Sequence, residues 1–106
     1  MADPANKGMI LCSPHNPVGR VWAPEDLKQI VAIAQKYDKW IISDEIHCDL
    51  IRGGHRHYPL LKLCPEYSHR IIACTAPSKT FNIAGLQMSN IIIPNPEYQA
   101  AFMKYA

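Results

Sequence analysis

A chain of 106 residues with 48% apolar content suits one small domain with a core of its own. A net charge of +2 is too small to favour nucleic acid or an anionic membrane surface. No basic tract interleaved with aromatics supports nucleic-acid binding, and the apolar runs fall far short of a membrane-spanning helix. No nucleic-acid or membrane partner is therefore expected.

The opening Met1-Ala-Asp-Pro-Ala-Asn-Lys7 lacks the basic-then-apolar layout of a signal peptide. Residues 1–7 read as disordered or as marking a point of truncation. Gly8 to Ser13 is a short apolar run closed by Pro14-His-Asn16-Pro-Val-Gly19, the pattern of a buried strand feeding a rigid turn. The two prolines fix their own φ and push Ser13 and Asn16 toward extended geometry. Asn16 is thus presented by a stiff loop at a strand's carboxyl end.

Pro24 to about Lys39 predicts a helix, with Leu27, Ile30, Val31, Ala34 and Tyr37 forming one apolar stripe. Pro24 fits the first helical position, while Glu25 and Asp26 suit the positive end and Lys36 and Lys39 the negative end. Ala23 is a poor N-cap. Trp40 to Ser43 is a second buried strand, followed at once by Asp44-Glu45. Fully apolar strand interiors imply helices on both faces and a parallel sheet. Strand, helix and strand make a βαβ unit that puts Asn16 and Asp44 at the same sheet edge, where open α/β sheets bind ligands.

Gly53 to Pro59 is a polar loop, with His55 and His57 expected to be exposed. A lone His-x-His without further ligands makes no zinc site, so no metal is expected. Leu60 to Cys64 predicts a helical turn, and Arg70 to Thr75 a third apolar strand with Lys79 just past its end. Ser89 to Ile93 predicts a fourth, antiparallel strand, because residues 76–88 are too few for a helical crossover. Asn95 and Pro96 open a last helix. Cys12, Cys48, Cys64 and Cys74 form no Cys-x-x-Cys pair and read as free thiols of a reducing, cytoplasmic compartment.

An amide (Asn16), a carboxylate (Asp44) and an amine (Lys79) at one sheet edge match the needs of pyridoxal 5′-phosphate. A scaffold-held lysine loses its proton readily once desolvated, as a Schiff-base lysine must. A partly buried carboxylate keeps the ring nitrogen protonated, so the ring can take up electrons, and an amide orients the ring oxygen.

The stretches Ser13-Pro-His-Asn16-Pro-Val-Gly-Arg-Val-Trp22, Ser43-Asp44-Glu-Ile-His47-Cys-Asp-Leu50 and Cys74-Thr-Ala-Pro-Ser-Lys79-Thr-Phe-Asn-Ile-Ala-Gly-Leu-Gln87 resemble fold-type I pyridoxal-phosphate enzymes of the class I/II aminotransferase superfamily. Within it they resemble the branch of cystathionine β-lyases and related cysteine-S-conjugate (C–S) β-lyases. The resemblance implies an α/β fold with a mainly parallel sheet and flanking helices, residues 1–106 being part of the large cofactor-binding domain. It implies that Lys79 is the Schiff-base lysine and catalytic proton carrier, Asp44 the pyridinium partner and Asn16 the donor to the ring oxygen. His47 stands where many aminotransferases carry a tyrosine, Ile46 is placed to pack on the ring, and Ser78 or Thr75 to reach the phosphate. Gln87 and Ala76 depart from the residues usual at those positions, an arginine and a serine or glycine.

The function so implied is β-elimination on cystathionine or a related cysteine thioether, giving pyruvate, ammonia and a thiol. The alternative is transamination between an amino acid and a 2-oxo acid. The full-length protein is expected to be a homodimer. Family members are several times longer, so a truncated product or partial sequence, inactive by itself, is expected. A DExH-type ATPase, suggested by Asp44-Glu-Ile-His47, lacks a GxxxxGKS/T phosphate loop and leaves the Asn16 and Lys79 blocks without a place.

Overall fold

A computed structural model describes residues 1–106. Four strands form one sheet in the order β1 (Gly8–Cys12), β2 (Trp40–Asp44), β3 (Ile71–Thr75) and β4 (Asn90–Ile92). The first three are parallel and β4 is antiparallel to β3, as the short connection before it requires. At the first register position Gly8 faces Trp40, and a Cβ on Gly8 would lie 2.7 Å from both the Cβ and the carbonyl oxygen of Trp40. The two strands can approach this closely because position 8 has no side chain.

Helix α1 (Pro24–Lys36) covers one sheet face. Its residues Leu27, Val31 and Ala34 pack with Leu11, Ile41 and Ile71, and the short helix α2 (Leu60–Leu63) with Cys64 and Tyr67 closes the end of this core. The N-terminus of α1 has no side-chain cap, as Ala23 implies, and relies on Pro24 and the acidic first turn.

The helix stops three residues earlier than its sequence suggests. Asp38 takes a left-handed φ of 50°, and the Lys39 N–H turns back to the Ala34 carbonyl. Tyr37 therefore leaves the apolar stripe and is exposed. Lys39 lies outside the helix and is buried, its ammonium donating to the carbonyls of Asn6 (2.6 Å) and Asp3 (3.3 Å). That ion ties the turn at residues 3–6 to the domain.

Tyr67, on the 3₁₀ turn Pro65–Arg70, is buried, and its hydroxyl lies 2.8 Å from the Lys39 carbonyl and 3.2 Å from that of Ala34. Tyr67→Phe strands these acceptors in an apolar setting. It is expected to cost about 1–2 kcal/mol in urea unfolding without changing the denaturant slope.

The other sheet face is only partly covered within these residues. By strand alternation it carries Ile10, Ile42 and Ile72 in one cross-strand row, with Cys12, Asp44, Cys74 and Ile91 in the next. Ile10 is 71% exposed and Ile42 37%. Helix α4 (Pro96–Tyr105), capped by the Asn95 side chain on the Glu97 N–H, reaches this face through Tyr98, whose ring meets Trp40 edge-on with centroids 4.0 Å apart. The remainder of α4 buries nothing.

Candidate active site

Because β1, β2 and β3 run parallel, their carboxyl ends share one edge, and each is followed by one of the polar blocks. Asp44 is the last residue of β2, in register with Cys12 on one side and Cys74 on the other. Its main chain is held from both neighbours: its carbonyl accepts the Ser13 N–H at 3.0 Å, and the following residue's N–H, that of Glu45, donates to Cys74 at 2.9 Å. One carboxylate oxygen of Asp44 takes the Ile46 N–H at 3.3 Å, and the other accepts no hydrogen bond within the chain. Burial and the carboxylates of Asp44 and Glu45 push the Cys74 thiol up, so it stays protonated beside Asp44.

Asn16 and His47 are brought together. They line one cleft of about 220 Å³ with His15 and Leu50. The two X-Pro bonds flanking this block, Ser13–Pro14 and Asn16–Pro17, are cis. His47 Nε2 and His15 Nδ1 are buried without a hydrogen-bond partner. Thr75 ends β3 and lines a second cleft, of about 260 Å³, with Cys48, Asp49, Pro77 and Phe81. The Asn90 amide donates to the Thr75 hydroxyl at 3.4 Å. Ser78 and Lys79 lie on the single helical turn α3 (Pro77–Thr80), Ser78 partly buried and Lys79 exposed. Asp44 and Lys79 share the sheet edge but line neither cleft.

Two residues beside the site carry more than their sequence context suggests. Glu45 follows Asp44 but points to the opposite, helix-covered side, as the two-residue period of a strand dictates. There its carboxylate is buried and accepts from the Ser43 hydroxyl (2.9 Å) and the Leu60 N–H (3.0 Å), and it pairs with His57 Nε2 (2.9 Å). Burial pushes this carboxyl up, but the bonds from His57, Leu60 and Ser43, with the His57 charge, outweigh it and hold Glu45 below its ordinary value. His57 is accordingly no exposed loop histidine: its side chain is only 10% accessible. Glu45 anchors the far end of the loop that begins with Ile46 and His47. His55 is exposed, and no group of three metal-ligating side chains forms anywhere in the chain.

The donor set suits pyridoxal phosphate. A free carboxylate oxygen, an amide, an imidazole with a buried unpaired nitrogen and an amine stand at one edge, with hydroxyls at Thr75 and Ser78.

The aminotransferase class I and II family model matches residues 1–106. The chain is 46% identical over 102 residues to the cystathionine β-lyase PatB of Bacillus subtilis, covering 96% of this chain and 26% of that protein. Cystalysin from Treponema denticola, whose crystal structure contains a pyridoxal 5′-phosphate cofactor, superposes with a TM-score of 0.93 at 50% identity, over 96% of this chain and 26% of that one. The pyridoxal-phosphate-bound C–S lyase of Staphylococcus hominis gives 0.86 at 48% identity, over 91% and 24%. The chain thus spans about a quarter of the length of the proteins it matches.

Proposed function

Since the chain belongs to the class I and II aminotransferase family, we propose that it forms the central part of the cofactor-binding domain of a pyridoxal-phosphate-dependent carbon–sulfur β-lyase. One observation supports this reading: an amide, a carboxylate and an amine end or follow three successive parallel strands whose carboxyl ends lie on one edge. When bound, the cofactor supplies an electron sink for the charge left at the substrate Cα. The Lys79 amine would hold the cofactor and, when free, would take the Cα proton as general base. The free Asp44 oxygen would accept from a protonated ring nitrogen, a charge-assisted bond strengthened by the partly buried setting. Asn16 and His47, which line one cleft, would orient the ring oxygen, Ile46 would pack against the ring, and the Thr75 or Ser78 hydroxyl would hold the phosphate.

The substrate of the whole protein is a small cysteine thioether. Elimination releases its thiol, and addition of water to the remaining three-carbon unit gives pyruvate and ammonia. The same reading carries a homodimer acting in the cytoplasm, without nucleic-acid or membrane partners. No helix here is long and apolar enough to cross a membrane.

Incubating the full-length protein with cystathionine and pyridoxal phosphate, without added 2-oxo acid, is expected to release pyruvate and ammonia in equal amounts. Turnover that begins only when a 2-oxo acid is supplied would assign the protein to transamination instead.

A further inference from the structure

Within these 106 residues, the segment 76–88, which carries Lys79, makes few contacts outside itself. Neither α3 nor the 3₁₀ turn Ala84–Leu86 buries a residue. The backbone bonds from Phe81, Ile83, Leu86 and Gln87 all return to residues within the segment, to Pro77, Ser78, Ile83 and Ala84. A single side-chain hydrogen bond leaves it: the Thr80 hydroxyl donates to the Asp49 carboxylate at 2.7 Å. Asp49 belongs to the turn that begins with Ile46 and His47, directly after Asp44. The two segments also face each other across the cleft shared by Asp49, Thr75, Pro77 and Phe81.

We propose that Asp49 and Thr80 are positioning residues that lock the lysine-bearing turn onto the turn after β2, setting where the Lys79 amine stands relative to Asp44. The proposal rests on the pyridoxal-phosphate reading above. Thr80 adjoins Lys79, so rotation of this one-turn helix moves both together. A tether here removes the freedom of the amine to swing away from the sheet edge, and proton transfer is sensitive to displacements of that size. Thr80 and Asp49 need touch neither cofactor nor substrate for this.

The test uses the full-length protein carrying Asp49→Ala or Thr80→Val, with Asp49→Asn and Thr80→Ser as variants that keep an acceptor and a donor. Hydrogen exchange in the cofactor-free protein is expected to quicken across residues 76–88 in the first pair. Affinity for pyridoxal phosphate and kcat should each fall about threefold to tenfold, with KM little changed. The conservative pair should restore most of the loss, and the double variant should be no worse than either single one. Unchanged exchange in both disruptive variants overturns the tether. Faster exchange with affinity and kcat unchanged overturns its positioning role. A wild-type protein that binds no pyridoxal phosphate overturns the underlying reading, independently of the exchange result.

Discussion

Replacing Lys79 by alanine in the full-length protein is expected to abolish the visible absorbance of covalently held pyridoxal phosphate and to lower kcat by about 10³-fold or more. The expected loss is large because one amine both holds the cofactor and moves the Cα proton, and no second lysine lies on α3 to replace it. Lys79 is exposed on a turn with no buried residue, so the substitution should leave the unfolding free energy of the cofactor-free protein within about 0.5 kcal/mol of the parent. Absorbance titration and far-ultraviolet circular dichroism check the two halves of the prediction. A persisting cofactor band would show that another amine holds the ring.

The second large effect concerns stability. Glu45→Ala removes the acceptor of Ser43 and Leu60 and the partner of His57 at a buried position, and is expected to cost about 3 kcal/mol in denaturant unfolding. Glu45→Gln keeps a carbonyl oxygen for Leu60 and should cost less. The pH dependence has a definite sign. The folded protein holds Glu45 below its ordinary value, so the unfolded chain takes up more protons as the solution is acidified. The stabilisation from Glu45 is therefore complete above the ordinary carboxyl range and is lost as pH falls through that range and beyond. In the alanine variant this part of the acid sensitivity should disappear, which urea midpoints measured across that range would reveal.

Much of the architecture was legible because each strand is an apolar run ended by proline, glycine or a charged pair, and α1 shows its burial stripe directly. The antiparallel course of β4 followed from loop length alone. The end of α1 was not legible, since Asp38 stops it by adopting a left-handed conformation that aspartate tolerates but does not announce. The candidate site was legible as an order of blocks, with Asn16 and Lys79 following strands and Asp44 ending one, and the roles proposed for them come from the resemblance. Glu45 and His57 were missed for a different reason. Their pairing spans 12 residues of polar loop, and composition says nothing about where such a loop returns. The two-residue strand period did contain a hint: with Asp44 facing one side, Glu45 had to face the other, among buried apolar groups that leave a carboxylate in need of partners. The Asp49–Thr80 contact joins residues 31 apart in two exposed segments and left no trace in periodicity.

The isoleucine row on the bare sheet face has a practical corollary. With Ile10 at 71% and Ile42 at 37% exposure, and Trp40 beside them in the same groove, water meets a broad greasy plane. Planes of this kind recruit one another, and dye-binding or precipitation is their usual laboratory signature. A polypeptide limited to these 106 residues is consequently a poor reagent for enzymology. Its colloidal behaviour would mask whatever chemistry Asp44, on the very same face, is able to support.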